Sequence, residues 1–386
     1  MKRLAFHKLL VSFAIMALPA PSLTAHIGSR FPSEKKTVED KITGAQLTFL
    51  TSQGPGDFGI CNTGRQWTAD GNWIIFRSNR APGETLAINE KTGDMVQVTE
   101  GSYMGVTAVS DKSMKLFFMR MTLRQPGQSG GGPVQIVEVD LERLLADSES
   151  GDVRDESEYQ KVRGTIPAGM EAGGSMSIDA GGEWLYFRVG RAEASKHAAQ
   201  VNPADRGYSQ HPAGEILSGI SSFNIRTREI RFVLGLPFRV GRIRADQKVS
   251  GELYFCGEKD GTNPLQTWSV RSDGTGLRTV CGGPQPKWPA GSGSVLMHHP
   301  ASSDDRLASG SDAGGNIYLA DLHSDKTILL SAGHKTTSAD PPCPSVSPDE
   351  TKVLILSAML SSDTRRLNLC IIKIPDGWQG SKQTGY

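Results

Sequence analysis

The sequence has almost no net charge and no long apolar run beyond its first residues. Its 42 Lys and Arg against 41 Asp and Glu give a formal net charge of +1. A nucleic-acid-binding protein normally concentrates basic residues on one face, so this balance argues against that class. No later segment is long and apolar enough for a membrane-spanning helix. We therefore expect neither a nucleic-acid partner nor a membrane span.

Cysteine is scarce and scattered. The five cysteines are Cys61, Cys256, Cys281, Cys343 and Cys370, and no two form a C-x-x-C pair. This spacing argues against a zinc site of the usual kind. Because five is odd, at least one thiol has no partner within the chain. Cys256 and Cys370 each lie inside an apolar run, which favours buried thiols that pack as small hydrophobic side chains.

The N-terminus has the pattern of an export signal. Basic residues precede the apolar stretch Leu9–Leu18, whose length falls in the usual range of about 7–15 residues and is short for a bilayer. Ala20 or Ala25 would end the cleavage site. We predict a signal peptide over residues 1–25 and a periplasmic or secreted protein, in which disulfides are permitted.

A pattern of turn and short strand recurs through the rest of the chain. A small polar residue, an Asp and a turn come before three or four apolar residues, and a further alternating strand follows. Clear copies begin at Thr68, Ser110 and Ile178, and weaker ones at Asp246, Ser303 and Ser347. Units of about 40–50 residues built from strands and turns are typical of propeller blades.

These units predict an all-β protein with a single β-propeller domain over residues 31–378. Stacking small sheets radially buries both faces of each sheet and leaves only short edges. The segment from Trp288 to Leu296 runs almost directly into Asp304, which predicts a blade that lacks strands. We therefore expect seven blades, one of them reduced, or six and a remnant.

Four segments resemble one known family. They are Asp40–Thr51, Phe255–Gly274, Gly333–Ser338 and Pro344–Leu354. Together they resemble the oligogalacturonate lyases, seven-bladed propellers that degrade pectin, over nearly the whole mature chain. The resemblance implies β-elimination at a uronic acid, with a His as base and an Arg for the carboxylate. It also implies a manganese ion held by three His and one Gln.

Several residues of this family site are replaced. The first metal His falls at His298, with His299 beside it, while the metal Gln falls at Ser338 and the remaining His at Pro341 and Cys343. The base falls near Gln285 or Pro286, and the Arg near Gln266. A substitute site would use Lys287 as base, Arg242 or Arg244 for the carboxylate, and His298, His299, Cys343 and His334 with Asp340 as metal ligands.

Each candidate also has a simpler interpretation. His298 and His299 could be strand-end side chains bonded to backbone, and His334 could make a structural hydrogen bond. Cys343 could be buried or form a disulfide with Cys370, since manganese prefers oxygen and nitrogen ligands. The alternating arginines from Arg239 to Arg244 could clamp a carboxylate or line a solvated strand face.

Two functional hypotheses follow. The first is an oligogalacturonate lyase-like protein that acts on pectin-derived uronate oligosaccharides. The second is a non-catalytic periplasmic propeller, similar to the Tol-type propellers, that binds a glycan or a protein partner. The family resemblance favours the first, and the replaced ligands favour the second.

Overall fold

Short strands joined by tight turns make up nearly all the regular structure. The computed structural model describes residues 25–58, 66–101, 103–122, 132–197, 218–246, 250–257, 266–279, 289, 296–298, 307–321, 323–324, 326–334 and 342–378. The strands of the first half are β1 (Arg30–Phe31), β2 (Lys36–Glu39), β3 (Gln46–Phe49), β4 (Asp57–Phe58), β5 (Trp73–Ser78), β6 (Thr85–Asn89), β7 (Met95–Gln97), β8 (Tyr103–Val109), β9 (Lys115–Met121), β10 (Val134–Asp140), β11 (Gln160–Ile166), β12 (Met176–Ile178) and β13 (Trp184–Val189).

The strands of the second half continue the series. They are β14 (Ser218–Asn224), β15 (Ile230–Leu236), β16 (Gly241–Ala245), β17 (Glu252–Gly257), β18 (Gln266–Arg271), β19 (Arg278–Thr279), β20 (Leu296–His298), β21 (Leu307–Ser311), β22 (Ile317–Asp321), β23 (Lys326–Ser331), β24 (Ser345–Val346), β25 (Lys352–Ser357) and β26 (Asn368–Lys373). All the strand pairs recorded among them are antiparallel.

The described strands form six sheets, which we number as blades along the chain. Blade 1 is β4-β5-β6-β7 with β1 added at its outer edge, and blades 2 to 5 are β8–β11, β12–β15, β16–β19 and β20–β23. Blade 6 is β24-β25-β26 completed by β3 and β2 from the N-terminal part. The all-β propeller expected from the repeats is therefore confirmed.

The N-terminal segment closes the ring by completing the last blade. Leu47 of β3 lies opposite Ile372 of β26, and Phe49 lies opposite Cys370. The backbone of the first strands thus pairs with the backbone of the last, so the ring does not end in an open edge at this point.

Apolar side chains fill the space between neighbouring blades. In β25, Val353 and Ile355 pack toward blade 5, while Leu354 and Leu356 pack toward blade 1. A strand with both faces buried reads as a continuous apolar run rather than an alternating one. This explains the runs of three or four apolar residues that mark each repeat in the sequence.

The recurring Asp of the repeat holds the turn between the first and second strands of a blade. Thr68 Oγ1 donates to Oδ1 of Asp70 at 2.5 Å and accepts from the backbone N–H of Trp73 at 3.2 Å. In blade 6, Ser347 Oγ donates to Oδ1 of Asp349 at 2.6 Å and accepts from the N–H five residues after it. A short polar side chain that bonds its own turn is the reason for this composition.

In the part of the chain that the structure describes, two α-helices lie outside the strands. They are α1 (Leu141–Ser150) and α2 (Arg191–Lys196), and short 3-10 turns occur at Glu156–Glu158, Ala168–Met170 and Asp376–Trp378. Asp140 caps the start of α1 by accepting from the N–H of Arg143, and Gly151 ends it with φ 82°. None of the helices in the described ranges is long and apolar enough to cross a membrane.

The blade count differs from the expectation of seven. Leu296–His298 forms β20, which pairs with β21 in the same sheet. Leu296–His298 and the strand beginning at Leu307 therefore belong to one four-stranded blade, and this blade is not reduced. A seventh blade is not confirmed among the residues that the structure describes.

Candidate functional site

The first strands of blades 2, 3 and 4 lie side by side. The strand β12 contacts both β8 and β16, and each of these is the first strand of its sheet. Arg242 and Arg244 lie on β16. The segment chosen from the sequence for its alternating arginines thus leads into the first strand of blade 4, beside the first strand of blade 3.

A β-bulge interrupts β16 at Arg242. Gly241 lies opposite Cys256 and Arg244 lies opposite Tyr254, so that two residues of β16 face a single residue of β17. Arg242 has φ 51° and is half-buried. A left-handed conformation is costly for a residue with a Cβ, and bulges with such residues often redirect a side chain at a functional site.

Serine side chains fasten β16 to blade 3. The N–H of Ile243 donates to Ser175 Oγ at 2.6 Å, and the N–H of Ala245 donates to Ser177 Oγ at 3.0 Å. These bonds satisfy backbone donors at the free edge of β16. They also fix the position of the bulge relative to the inner strand of blade 3.

Arg188 lies at the same junction. Its N–H donates to the carbonyl oxygen of Ser175 at 3.4 Å, and its side chain is half-buried. The guanidinium carbon lies 3.0 Å from the point where a Cβ on Gly174 would be. Burial lowers the pKa of Arg188, and the positive charge of Arg239 lowers that pKa further. The charge of Arg239, which lies between β15 and β16, thus acts on Arg188 of β13.

Arg188 was not among the candidate site residues predicted from the sequence. It follows the apolar run of β13 directly, in Trp184-Leu-Tyr-Phe-Arg188, and such a position reads as the end of a core strand. The effect of Arg239 on its pKa depends on how two blades pack and leaves no local pattern. The charge at the end of an otherwise apolar strand was the only available signal.

The structure corrects the prediction that His334 is a metal ligand. His334 is fully buried, and both ring nitrogens already have partners. Nε2 lies 2.7 Å from Ser331 Oγ, and Nδ1 lies 2.8 Å from Ser357 Oγ. Burial lowers the pKa of His334 to about 4, although the charge of Asp40 opposes this effect. His334 is thus a neutral structural side chain, as the simpler interpretation expected.

Asp40 belongs to the same buried cluster. Its carboxylate accepts hydrogen bonds from four donors, which are Ile42 N–H, Thr43 Oγ1, Ser331 Oγ and Ala332 N–H. Burial alone would raise the pKa of Asp40, but these bonds outweigh it and lower the pKa to about 2. The cluster joins the N-terminal turn to blade 5 and is closed to solvent.

Cys343 is disulfide-bonded, which corrects its prediction as a thiolate ligand. A sulfur in a disulfide has no thiolate charge to give to a metal. Cys370 is a free thiol, fully buried, and burial raises its pKa. The suggested pairing of Cys343 with Cys370 is therefore wrong, and Cys256 is excluded as a partner because it is free as well.

The described residues do not fit the manganese site that the family resemblance implies. Among them, no three His, Cys, Asp or Glu side chains lie close enough together to hold a metal ion. His298 lies on β20, but its side chain, His299 and Lys287 lie outside the described residues, and so does Asp340. The roles assigned to these residues stay predictions.

Solved structures with this fold include two oligogalacturonate lyases. One, in complex with manganese, superimposes with a TM-score of 0.60 at 20% identity over 91% of this chain and 99% of that protein. The other, from Vibrio parahaemolyticus, gives a TM-score of 0.62 at 16% identity over 92% of this chain and 100% of that protein. A gluconolactonase from Xanthomonas campestris gives 0.46 at 12% identity, over 91% of this chain and 98% of that protein.

The two comparisons with oligogalacturonate lyases show the fold. The chain has the propeller architecture of the oligogalacturonate lyases along nearly its whole length. No family model matches the sequence, and no curated protein matches it.

Proposed function

We propose that this protein is a propeller of the oligogalacturonate lyase type that binds acidic oligosaccharides built from uronate units. The observation that carries the proposal is the arginine segment at the start of β16, where the bulge turns Arg242 away from the regular strand. A guanidinium binds a carboxylate through two parallel hydrogen bonds. A uronate differs from a neutral sugar by that carboxylate, and solved lyases of this fold supply the substrate class.

The proposed reaction is β-elimination. A proton next to a carboxylate is weakly acidic, and it is removed more easily when the carboxylate charge is neutralised. In this proposal Arg242 and Arg244 neutralise the carboxylate, and Lys287 takes the proton from C5 as general base. The electron pair left at C5 forms the C4–C5 double bond and breaks the bond from C4 to the glycosidic oxygen, which leaves with a proton taken from water. No step is assigned to manganese, because His334 and Cys343 offer it no free ligand atom.

A lyase assay tests the reaction. The purified protein is mixed with trigalacturonate, alone and with each of a series of divalent metal ions, and the ultraviolet absorbance of the unsaturated product is followed. We expect product formation that is lost in Lys287→Ala and weakened in Arg242→Ala. The absence of unsaturated product under all these conditions would contradict catalysis.

A non-catalytic propeller that binds a glycan is the second candidate, and one observation favours it. The disulfide at Cys343 and the enclosure of His334 take away two of the ligands that a metal-dependent lyase would use. Under this alternative, trigalacturonate binds with a measurable affinity while no product forms. A calorimetric titration beside the lyase assay separates the two candidates.

We also propose that the protein is exported. The support is the signal-like pattern over residues 1–25 together with the disulfide at Cys343, because disulfides persist in oxidising compartments. The N-terminal sequence of the mature protein is expected to begin after Ala20 or Ala25. A mature protein that retains Met1 and stays in the cytoplasm would exclude export.

A further inference from the structure

The first strand of blade 3 presents different side chains to its two neighbours. Met176 and Ile178 of β12 pack into the core shared with blade 2. Ser175, which directly precedes the strand, and Ser177 point the other way and accept backbone N–H groups of β16 in blade 4. Successive residues of a strand point to opposite faces, which explains this division. One face is thus apolar, and the other offers hydroxyl oxygens to the backbone of the next blade.

Ser175 holds the residue that follows Arg242. Its Oγ accepts from the N–H of Ile243 at 2.6 Å, and Ile243 is fully buried in the core between blades 3 and 4. A buried N–H that loses its acceptor is costly. The carbonyl oxygen of Ser175 accepts from the N–H of Arg188 in its own blade. Ser175 is therefore fixed to blade 3 by its backbone and reaches the bulge of blade 4 with its side chain.

Blade 2 has a bulge at the equivalent place in its first strand. Met104 of β8 and Gly241 of β16 each lie opposite the residue that follows the last phenylalanine of the second strand. The next residue is Gly105 with φ 82° in blade 2 and Arg242 with φ 51° in blade 4. Glycine adopts this conformation without strain, whereas a residue with a Cβ does not. Blade 4 thus keeps a side chain at a position where blade 2 has none.

The guanidinium of Arg242 is available to a ligand. Arg242 is half-buried, and none of the described residues forms a hydrogen bond or an ion pair with its side chain. A carboxylate could supply the missing acceptors through two parallel hydrogen bonds. A strained backbone conformation persists only where the surroundings enforce it. The bond from Ser175 to the residue after Arg242 provides such a constraint.

We propose that Ser175 is a positioning residue for Arg242. Its hydroxyl oxygen holds Ile243 and so maintains the strained bulge that presents the guanidinium of Arg242 to the carboxylate of a uronate. Ser175 does not touch the ligand itself. Ser177 fastens β16 two residues further along and does not set the bulge. The inference rests on the proposed function, which assigns the carboxylate to Arg242.

Calorimetric titration of the full chain with trigalacturonate tests this role. In Ser175→Ala the N–H of Ile243 loses its acceptor and the bulge can relax, so we expect binding to weaken roughly 3- to 10-fold. The variant Ser175→Thr keeps the hydroxyl oxygen and should bind within about twofold of the wild type. Wild-type affinity in Ser175→Ala would overturn the proposal.

Ser177 provides a matched control in the same segment. Its Oγ accepts from the N–H of Ala245 at 3.0 Å, and both serines are buried. Ser177→Ala removes the same kind of bond further from Arg242, so the melting temperature should fall by a few degrees, as in Ser175→Ala. The affinity for trigalacturonate should stay within about twofold of wild type. Equal losses of affinity in Ser175→Ala and Ser177→Ala would assign both serines to the fold and overturn the positioning role.

A double-mutant cycle shows whether Ser175 acts through Arg242. Added to Arg242→Ala, the change Ser175→Ala should cause no further loss of affinity, because the side chain that it positions is already gone. The melting temperature should fall in both backgrounds, since the N–H of Ile243 loses its acceptor in each. A loss of affinity of the same size in both backgrounds would show that Ser175 does not act through Arg242.

The outcomes separate this inference from the proposed function. If trigalacturonate binds equally to the wild type and Ser175→Ala, the positioning role is wrong and the proposed function stands. If Arg242→Ala binds as tightly as the wild type, Arg242 does not hold the carboxylate, and the positioning role is wrong as well. If trigalacturonate does not bind to the wild type, the proposed function is wrong and Ser175 has no ligand contact to position.

Discussion

Nε2 of His334 lies 2.7 Å from Oγ of Ser331, in the packed wall between two blades. The same hydroxyl oxygen lies 2.9 Å from Oδ2 of Asp40. The other ring nitrogen of His334 lies 2.8 Å from Ser357 Oγ. An Asp, a Ser and a His in one chain resemble catalytic machinery, but all of these side chains are buried and no substrate can reach them.

The cluster connects three parts of the ring. Ser331 ends β23 in blade 5, Ser357 ends β25 in blade 6, and Asp40 begins the turn between β2 and β3. A fully satisfied buried network fixes one arrangement of the elements that carry it. We therefore assign it to closure of the propeller.

Stability should depend on pH through His334. Its pKa is about 4 in the folded protein against 6.5 for an ordinary His, so the unfolded chain binds the proton more tightly. The contribution of the neutral His334 is complete above pH 6.5 and is lost as the pH falls to 4, by about 3 kcal/mol in all. The free energy of unfolding, measured in urea at pH 7 and pH 5, checks this.

A variant that does not titrate isolates the effect. We expect His334→Gln to be less stable than wild type at pH 7, and the difference to shrink by about 2 kcal/mol at pH 5 because Gln takes up no proton. His323 is exposed on a turn of blade 5, and His323→Gln should keep the pH dependence of the wild type. A pH-independent difference between His334→Gln and wild type would contradict the assignment.

Arg80 should be a major contributor to the stability of blade 1 and the closing segment. Nη1 lies 2.6 Å from Oδ1 of Asp57 and Nη2 lies 2.8 Å from Oε2 of Glu34, and all three side chains are largely buried. Arg80→Ala leaves the carboxylate of Asp57 buried without its cation, which typically costs about 3–5 kcal/mol. Chemical denaturation measures the loss.

Charge alone should not replace Arg80. The variant Arg80→Lys keeps the cation but loses the planar fork that reaches two carboxylates, so only part of the stability should return. The exposed pair of Arg365 with Asp363 gives the control, and Arg365→Ala should change the stability by less than about 1 kcal/mol. Equal effects of Arg80→Ala and Arg365→Ala would show that burial is irrelevant here.

The disulfide at Cys343 determines how many cysteine thiols react with a thiol reagent before reduction. Of five cysteines, three should react in denaturant before reduction and all five after it. Because Cys256 and Cys370 are free, non-reducing peptide mapping should join Cys343 to Cys61 or Cys281. Five reactive thiols before reduction would exclude the bond.

Loss of this bond should lower stability. Cys343→Ser removes a constraint on the unfolded chain, and removal of a disulfide commonly costs about 2–4 kcal/mol. The half-buried free thiol of Cys256 provides the control, and Cys256→Ser should have a smaller effect. Unfolding in urea with and without reductant measures both, and a wild type insensitive to reductant would contradict the prediction.

The sequence predicted the blades because their signals are local. The turn bonds of Thr68 and Asp70 involve residues within one hairpin, and the apolar run after them reflects burial of both strand faces. The number of blades was harder to predict from the sequence than the blades themselves. Asp304 lies in the sequence between the first and second strands of blade 5, and the spacing alone suggested two units where Leu296–His298 and Leu307–Ser311 form one sheet.

The site was predicted less well because its contacts cross blades. His334 is a core residue because Ser331 and Ser357 occupy its ring nitrogens. Ser331 is bonded in turn to Asp40, which comes from the N-terminal segment that closes the ring. The lowering of the Arg188 pKa by the charge of Arg239 likewise follows from blade packing. Such contacts between distant residues have no periodicity or spacing that a single sequence displays.

Substitution of Arg242 should separate the strain of its backbone from the binding role of its side chain. Its φ of 51° suits glycine better than a residue with a Cβ, so Arg242→Gly should relieve strain and raise the free energy of unfolding by about 1 kcal/mol. The same change removes a guanidinium and should weaken trigalacturonate binding. Arg242→Ala keeps the strain and loses the side chain, so it should weaken binding without the gain in stability. Parallel urea denaturation and calorimetric titration of both variants measure these effects. If Arg242→Gly is less stable than Arg242→Ala, the backbone at this position is not strained, and if both variants are less stable than wild type, the arginine side chain serves the fold instead of a ligand.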